Sequence, residues 1–298
     1  MKGPLLIIGA GGQLGREAME LAGERGLMAI GMTRAALDIT DAAVVARAIE
    51  QTQPRLILNA AAYTAVDRAE SEPDAARAVN AFGAEAVAQG AALAGVPLVH
   101  ISTDYVFDGE KRGAYVESDP IAPLGVYGRT KAEGEQRVRA AARQHVILRT
   151  AWVFGRHGVN FLKTIMRLAR ERDFLRVVAD QRGSPTATRD IVEATLAVGA
   201  AADDGRAAWG TYHFAGPGAT TWHEFAEAIV AEQAKITGRS PPVEPIATAD
   251  YPTAARRPAN SELDSSRFAA TFGYRARGWR QRAAETVAML LAEGTTAQ

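Results

Sequence analysis

Apolar runs and amphipathic stretches take turns along the first half of the chain. Short, nearly unbroken apolar segments fall at Leu5–Gly9, Met28–Met32, Leu56–Ala60, Leu98–Ser102 and Val146–Thr150. Segments of that length and continuity suit strands buried on both faces. Between them, Gln13–Arg25, Asp41–Gln51, Ala75–Ala94 and Thr130–Ala142 carry helical periodicity. Strand and helix in alternation predict an α/β fold with a parallel sheet. Asp41 is placed to cap the second helix, and Gly95-Val96-Pro97 to end the third. The second half is less regular. Helices are expected near Phe161–Arg172, Asp190–Ala201, Trp222–Ile236 and Arg280–Ala292, and strands at Leu175–Ala179 and Thr211–Ala215. Thr237–Pro258, rich in turn residues, reads as ordered loop around a smaller lobe, and Ala200–Ala208 as a surface loop.

Composition narrows the function classes. The 298 residues are 47% hydrophobic and 23% charged, an ordinary globular balance with ample material for a core. Lys plus Arg and Asp plus Glu both total 34, for zero net charge. Neither nucleic acid nor an anionic membrane surface is an expected partner, because both favour a basic excess. With no cysteine, disulfides, thiolate metal sites and a Cys nucleophile are excluded. After Lys2 the apolar run Leu5–Ile8 is too short for a secretory signal, and no stretch approaches the ~20 apolar residues of a membrane span. A cytoplasmic location is expected.

Gly9-Ala10-Gly11-Gly12-Gln13-Leu14-Gly15 follows the first strand and opens a helix. Gly9, Gly12 and Gly15 are spaced so that bare backbone turns tightly and approaches a pyrophosphate, whose charge a helix N-terminus favours. A plain βα turn is the bland competitor, and position near the chain start favours cofactor binding. NAD enzymes usually place an acid at the end of the second strand. This one ends Gly31-Met32-Thr33-Arg34, so Arg34 is placed to meet a 2′-phosphate. NADPH is the expected cofactor, with NADH tolerated.

Tyr127-Gly128-Arg129-Thr130-Lys131 puts a phenol and an ammonium on one face at a helix start. Carbonyl reduction needs a proton donor beside the hydride source, and free tyrosine, with a pKa of ~10, is a weak one. An ammonium ~4–5 Å away at an effective dielectric of ~20 is worth roughly 3–4 kcal/mol, at most two to three pKa units. Desolvation opposes it. The fourth candidate strand ends His100-Ile101-Ser102-Thr103-Asp104-Tyr105, so Thr103 sits at the carboxyl edge where ligands bind. Fingerprint, strand-end Thr and Tyr-x-x-x-Lys in this order point to an oxidoreductase.

Further segments carry a resemblance across about Leu5 to Leu291: Gly12 to Gly15, Leu37-Asp38-Ile39-Thr40, Asn59 to Glu70, Ser102 to Phe107, Tyr127 to Lys131, Arg149 to Val153, Asp180 to Thr186 and Arg257 to Ser261. The chain resembles the extended short-chain dehydrogenases, and within them the dTDP-4-dehydrorhamnose reductase family. That resemblance implies a Rossmann-type doubly wound parallel sheet with a smaller C-terminal substrate-binding lobe. The implied division is 1–152 for the dinucleotide and 153–298 mainly for substrate, with about 174–215 returning to the Rossmann sheet. It implies NAD(P)H-dependent reduction of dTDP-4-dehydro-6-deoxy-L-mannose to dTDP-L-rhamnose, with a nucleotide-linked deoxysugar as the small-molecule partner; a homodimer is compatible with it. By the matched positions Tyr127 is the proton donor, Lys131 orients the nicotinamide ribose, and Thr103 tunes the transfer. Gly12, Gln13 and Leu14 contact the pyrophosphate, and Asp38 and Ile39 the adenine end. Ala61, Ala62 and Tyr63 line the cofactor, while Asp104 and Trp152 contact the sugar.

Some family members join subunits through glutamate-bound magnesium. Glu17 matches one such position, but Arg189-Asp190 stands where another Glu is needed, so no metal is expected. Another nucleotide-sugar ketoreductase or an epimerase on the same fold is the nearest rival. A 4,6-dehydratase needs a second carboxylate where Tyr105 stands. From another class, the non-catalytic regulatory subunit of methionine adenosyltransferase shares this fold and binds NADP while modulating a partner enzyme; the intact Thr103, Tyr127 and Lys131 favour catalysis here.

Overall fold

The computed structural model describes residues 3–296; Met1, Lys2, Ala297 and Gln298, where the two expected segments begin and end, lie outside the described residues. The chain opens with β1 (Leu5–Ile8), α1 (Gln13–Glu24), β2 (Ala29–Met32), α2 (Ala42–Thr52) and β3 (Leu56–Asn59). Then come α3 (Val66–Ala69), α4 (Pro73–Arg77), a π-helical turn at Ala78–Gly83, α5 (Ala84–Ala94), β4 (Leu98–Thr103), a 3-10 turn at Asp104–Val106, α6 (Val126–Ala141) and β5 (His145–Thr150). The second half holds β6 (Val153–Phe154), α7 (Phe161–Glu171), β7 (Leu175–Val178), β8 (Arg182–Gly183), β9 (Thr186–Ala187), α8 (Thr188–Asp203) and β10 (Gly210–His213). It closes with β11 (Thr220–Thr221), α9 (Trp222–Thr237), β12 (Val243–Ile246), β13 (Asn260–Ser261), α10 (Ser266–Phe272) and α11 (Trp279–Thr296).

Six strands form one sheet in the order β2-β1-β3-β4-β5-β10, every neighbouring pair parallel. Most strand positions are apolar because both faces of the sheet are covered, and alternate residues feed two cores; the polar exceptions, such as His100 and Ser102 in β4 and Arg149 in β5, are buried. Leu5, Ile7, Leu56, Leu58, Val99, Val146 and Leu148 pack with α1, α8 and Phe268 on one side. Leu6, Ile8, Ile57, Leu98 and Ile147 pack with α2 and α5 on the other. The strand order reverses between β1 and β3, which opens a crevice at their carboxyl ends. A third core, with Phe154, Leu162, Ile165, Phe225, Ile229 and Trp279, joins α7, α9 and α11 into the smaller lobe.

Local chemistry sets the element ends. Asp41 accepts from the amides of Ala43 and Val44 at 3.0 and 3.1 Å, and Gly95 closes α5 at φ +66°. Several expectations need correction. The long third helix starts at Pro73 and stays helical to Ala94, but it widens into a π-turn over Ala78–Gly83. The fourth starts at Val126 rather than Thr130, because Glu70 Oε1 accepts the Val126 amide at 2.8 Å and caps the new first turn. Ala200–Ala208 is not all loop: alanines carry α8 on to Asp203. Thr237–Pro258 contains β12, whose pairing with β7 tolerates Pro245 in a two-stranded edge. Of the stretch 174–215, β10 pairs with β5 in the main sheet and α8 packs on its face, whereas β7 pairs with β12 apart from it. Among the described residues no helix is long and apolar enough to cross a membrane.

α6 is anchored in the sheet by a buried ion pair. Arg149 of β5 grips Glu135 through Nε and Nη2 at 2.8 and 2.7 Å, and Ser102 donates to the same carboxylate at 2.6 Å. Burial pushes the Glu135 carboxyl up, but the Arg149 hydrogen bonds and charge, with Ser102 and Arg139, hold it below the ordinary range. A depressed carboxylate contributes stability above its unfolded pKa of ~4.3, and that contribution is lost as pH falls through the lower folded value. Arg149→Met should cost roughly 3–5 kcal/mol at pH 7 in denaturant unfolding, because it strands a buried charge. Adding Glu135→Leu should restore most of it; a double variant no better than the single one contradicts this reading.

Candidate active site

The turn after β1 is built for close backbone approach. Gly9 has φ +87°, and a Cβ there would lie 2.7 Å from the Ala61 amide nitrogen. At Gly15 a Cβ would fall 2.3 Å from the Gly9 carbonyl oxygen. Gly12 is the N-cap of α1 and no side chain bonds to the first-turn amides. Those donors and the helix dipole face the crevice, as an anionic diphosphate requires. A side cavity of about 230 Å³ runs from Gly9 and Gly12 past Arg34, Asp38, Ile39, Ala61, Ala62 and Tyr63. Arg34 is exposed at its mouth. Asp38 is engaged by the amide and hydroxyl of Thr40 at 3.0 and 2.8 Å, which hold its carboxyl low.

A larger cavity, about 700 Å³, brings Gly12, Gln13, Leu14, Ala62, Thr103, Asp104, Tyr127, Lys131 and Trp152 to one space. Gly15 lines neither cavity; its role is to let α1 pack on the turn. The Tyr63 hydroxyl turns away, donating to Glu72 at 2.7 Å and accepting from Arg68 at 2.9 Å. Its backbone stays at the crevice because Asn80, in the π-turn, accepts the Tyr63 amide at 2.8 Å. Asn80 also donates to Thr130 Oγ1 at 3.1 Å, so it ties the β3 loop to α6.

Tyr127 and Lys131 share one face of α6. Lys131 is 1% exposed, and its Nζ donates to the Ile101 carbonyl at 2.7 Å. Desolvation lowers its pKa to about 8 against the pull of Glu135. The expectation that this ammonium lowers the phenol meets a correction: desolvation, then the Asp104 charge, raise Tyr127, and a Thr103 hydrogen bond only partly opposes them. A phenol held up in this way stays protonated at neutral pH, the form that a donor needs. Thr103 Oγ1 donates to Asp104 Oδ1 at 3.0 Å, while Oδ2 of that buried carboxyl has no partner. Burial raises Asp104 to about 6 despite the pull of nearby Ser261 and Thr103 in the other direction.

Trp152 takes φ +46°, a strained setting for a bulky residue. It turns the indole onto Trp222, with centroids 3.6 Å apart and planes at 9°. Gly183 makes room, since a Cβ there would strike the indole at 2.3 Å. Trp222, Thr150 and Phe161 also line the large cavity and escaped sequence reasoning; Trp222 reads as an ordinary apolar start to an amphipathic helix. A second cavity of about 520 Å³ shares Tyr105, Phe161 and Trp222 with the first and adds Arg172, Arg176, Tyr251 and Arg257. Asp67 holds Arg257 at 2.7 Å, a contact between segments far apart in sequence.

A glycine cradle at the strand-order reversal, with Tyr127, Lys131 and Thr103 across from it, defines a nucleotide-dependent reductase of the extended short-chain type. A family model described as RmlD substrate binding domain matches residues 1–292. The dTDP-4-dehydrorhamnose reductase of Aggregatibacter actinomycetemcomitans is 44% identical, covering 95% of this chain and 97% of that protein. The protein of that name from Sinorhizobium fredii is 42% identical over 98% and 99%. A dTDP-4-dehydrorhamnose reductase from Bacillus anthracis, crystallised in complex with NADP, superposes with a TM-score of 0.90 at 35% identity, covering 97% of this chain and all of that one. The chain belongs to the dTDP-4-dehydrorhamnose reductase family.

Gly15→Ala tests the cradle. The added methyl collides with backbone that has nowhere to move, so the dinucleotide Kd measured by calorimetry should rise at least about tenfold, or ~1.4 kcal/mol. Unchanged affinity in a folded variant contradicts the assignment.

Proposed function

We propose that this protein reduces the 4-keto group of dTDP-4-dehydro-6-deoxy-L-mannose to dTDP-L-rhamnose, using NADPH in preference to NADH. The observation that carries the reading is the convergence of Thr103, Tyr127, Lys131 and the Gly12–Leu14 turn on one cavity. The cofactor supplies hydride to the ketone carbon. Gly12, Gln13 and Leu14 would hold its diphosphate, and Ala61 and Ala62 its flank. Arg34 would meet the 2′-phosphate, with Asp38 and Ile39 at the adenine end. Lys131 would hold the ribose beside the nicotinamide.

The protein's own work is proton supply and orientation. Tyr127 keeps its proton in the desolvated cleft and delivers it to the ketone oxygen, which Thr103 steadies by hydrogen bonding. Lys131, on the same face of α6, would stabilise the phenolate formed, and the oxidised cofactor would add its positive charge. The unpaired Asp104 Oδ2 and the Trp152 face would receive the deoxysugar. Arg172, Arg176 and Arg257 give the second cavity the charge that a nucleotide diphosphate seeks. On this reading residues 1–152 serve the cofactor, and the smaller lobe within 153–298 serves the sugar nucleotide.

Tyr127→Phe removes the acid while keeping the ring. Turnover of the keto sugar, followed by NADPH oxidation, should fall by about 10²-fold or more, with NADPH affinity nearly intact; a variant retaining most of its kcat contradicts the mechanism. Arg34→Ala should shrink the kcat/KM preference for NADPH over NADH by about tenfold, the worth of one charge-assisted hydrogen bond of ~1.5 kcal/mol. An unaltered ratio removes Arg34 from the 2′-phosphate site.

A further inference from the structure

The proposed reaction leaves several buried titratable groups without a task, and one of them, His100, touches Lys131. His100 sits inside β4, 1% exposed, with Leu98 and Ser102 next to it on the same face of the strand. Its two ring nitrogens both face polar partners. Nδ1 lies 3.1 Å from Asn59 Nδ2, and Nε2 lies 3.5 Å from Lys131 Nζ. Burial, then the Lys131 and His145 charges, hold the imidazole well below its usual range, so it is neutral. A neutral imidazole carries one proton, and the question is which nitrogen has it.

Asn59 answers that. The Ala61 amide can only donate, and it lies 3.2 Å from the Asn59 side chain. The Asn59 atom facing it is therefore the oxygen, which leaves the NH2 group pointing at His100 Nδ1. Nδ1 must accept, so the proton is on Nε2 and is directed at the Lys131 amine. We propose that His100 is a positioning residue for Lys131: Asn59 locks it in the Nε2–H tautomer, and that fixed donor disfavours the ammonium and favours the free amine.

An ammonium has three donors and no acceptor. It is served by the Ile101 carbonyl but opposed by the Nε2–H. The free amine can donate to Ile101 and accept from His100 at once. The other charged or titratable groups around Lys131 are Tyr127 and Glu135 on α6, Arg149 and Arg139 paired with Glu135, Asp104 after β4, and His145 of β5, which acts on His100. Glu135 stabilises the ammonium, and His100 is the neutral group placed to counter it. The outcome is a lysine whose ammonium gives up its proton more readily than Glu135 and the Ile101 carbonyl alone would allow. The chain of contacts starts at Ala61, on the cofactor side cavity, so the lock is built into the crevice wall. This role deepens the proposed reduction and rests on Lys131 acting there.

Nitrogen-15 correlation NMR of the ligand-free protein at pH 8, with His100 assigned by its loss in His100→Gln, reads the tautomer directly. The expected result is protonation at Nε2. Protonation at Nδ1 overturns the proposal, whether or not the protein turns over a keto sugar, so this arm is independent of the functional reading. Asn59→Asp supplies only acceptors, so it should move the proton to Nδ1 and leave Nε2 to accept from the Lys131 ammonium. The basic limb of the kcat/KM profile should then move up by about half a pH unit or more. A limb that stays in place while the tautomer switches overturns the link to Lys131.

Discussion

The arrangement depends on one constraint: α6 must lie against β4 and β5 with Tyr127, Lys131 and Glu135 on the same buried face. Successive turns of one helix thereby carry the acid, the cation and the anchor. Glu135 fixes the helix to Arg149, and Glu70 fixes its first turn from outside. Asn80 holds its second turn to the β3 loop. With these contacts in place, Lys131 reaches the Ile101 carbonyl and Tyr127 reaches the cavity. Loosen them, and the two groups have no reason to share a pocket with the glycine turn.

The two cavities differ in the polar groups they offer. The large one meets the end of the sheet, where unsatisfied backbone donors and buried polar atoms gather. The second lies in the smaller lobe, among apolar side chains with three guanidinium groups. Tyr105, Phe161 and Trp222 belong to both walls, so a substrate spanning the two would lie against aromatic faces at the junction. The strained Trp152 stands there too, held by stacking on Trp222.

Much of this was legible in the chain. The five first-half strands follow from apolar runs, since strands covered on both faces have no polar side to hide. The fingerprint, Thr103, Tyr127 and Lys131 could be placed because strand ends and helix starts define where they point. What escaped depends on tertiary partners. The π-turn has no local signature; it forms where Asn80 meets Tyr63 and Thr130, residues of two other segments. Strand β12 contains a proline and exists only because β7 lies beside it. Trp222 and His100 look like core residues until the fold shows their neighbours. The rise in the Tyr127 pKa could not be weighed from spacing alone, because it comes from burial and the Asp104 charge.

The central claim is that this cleft moves hydride from a dihydronicotinamide to a sugar ketone while Tyr127 supplies the proton. Incubation of dTDP-4-dehydro-L-rhamnose with NADPH dideuterated at C4 of the nicotinamide, followed by NMR of the sugar product, reads the transfer directly. The account predicts dTDP-L-rhamnose with one deuterium, on C4. Unlabelled product, label at another carbon, or no consumption of the ketone would contradict it.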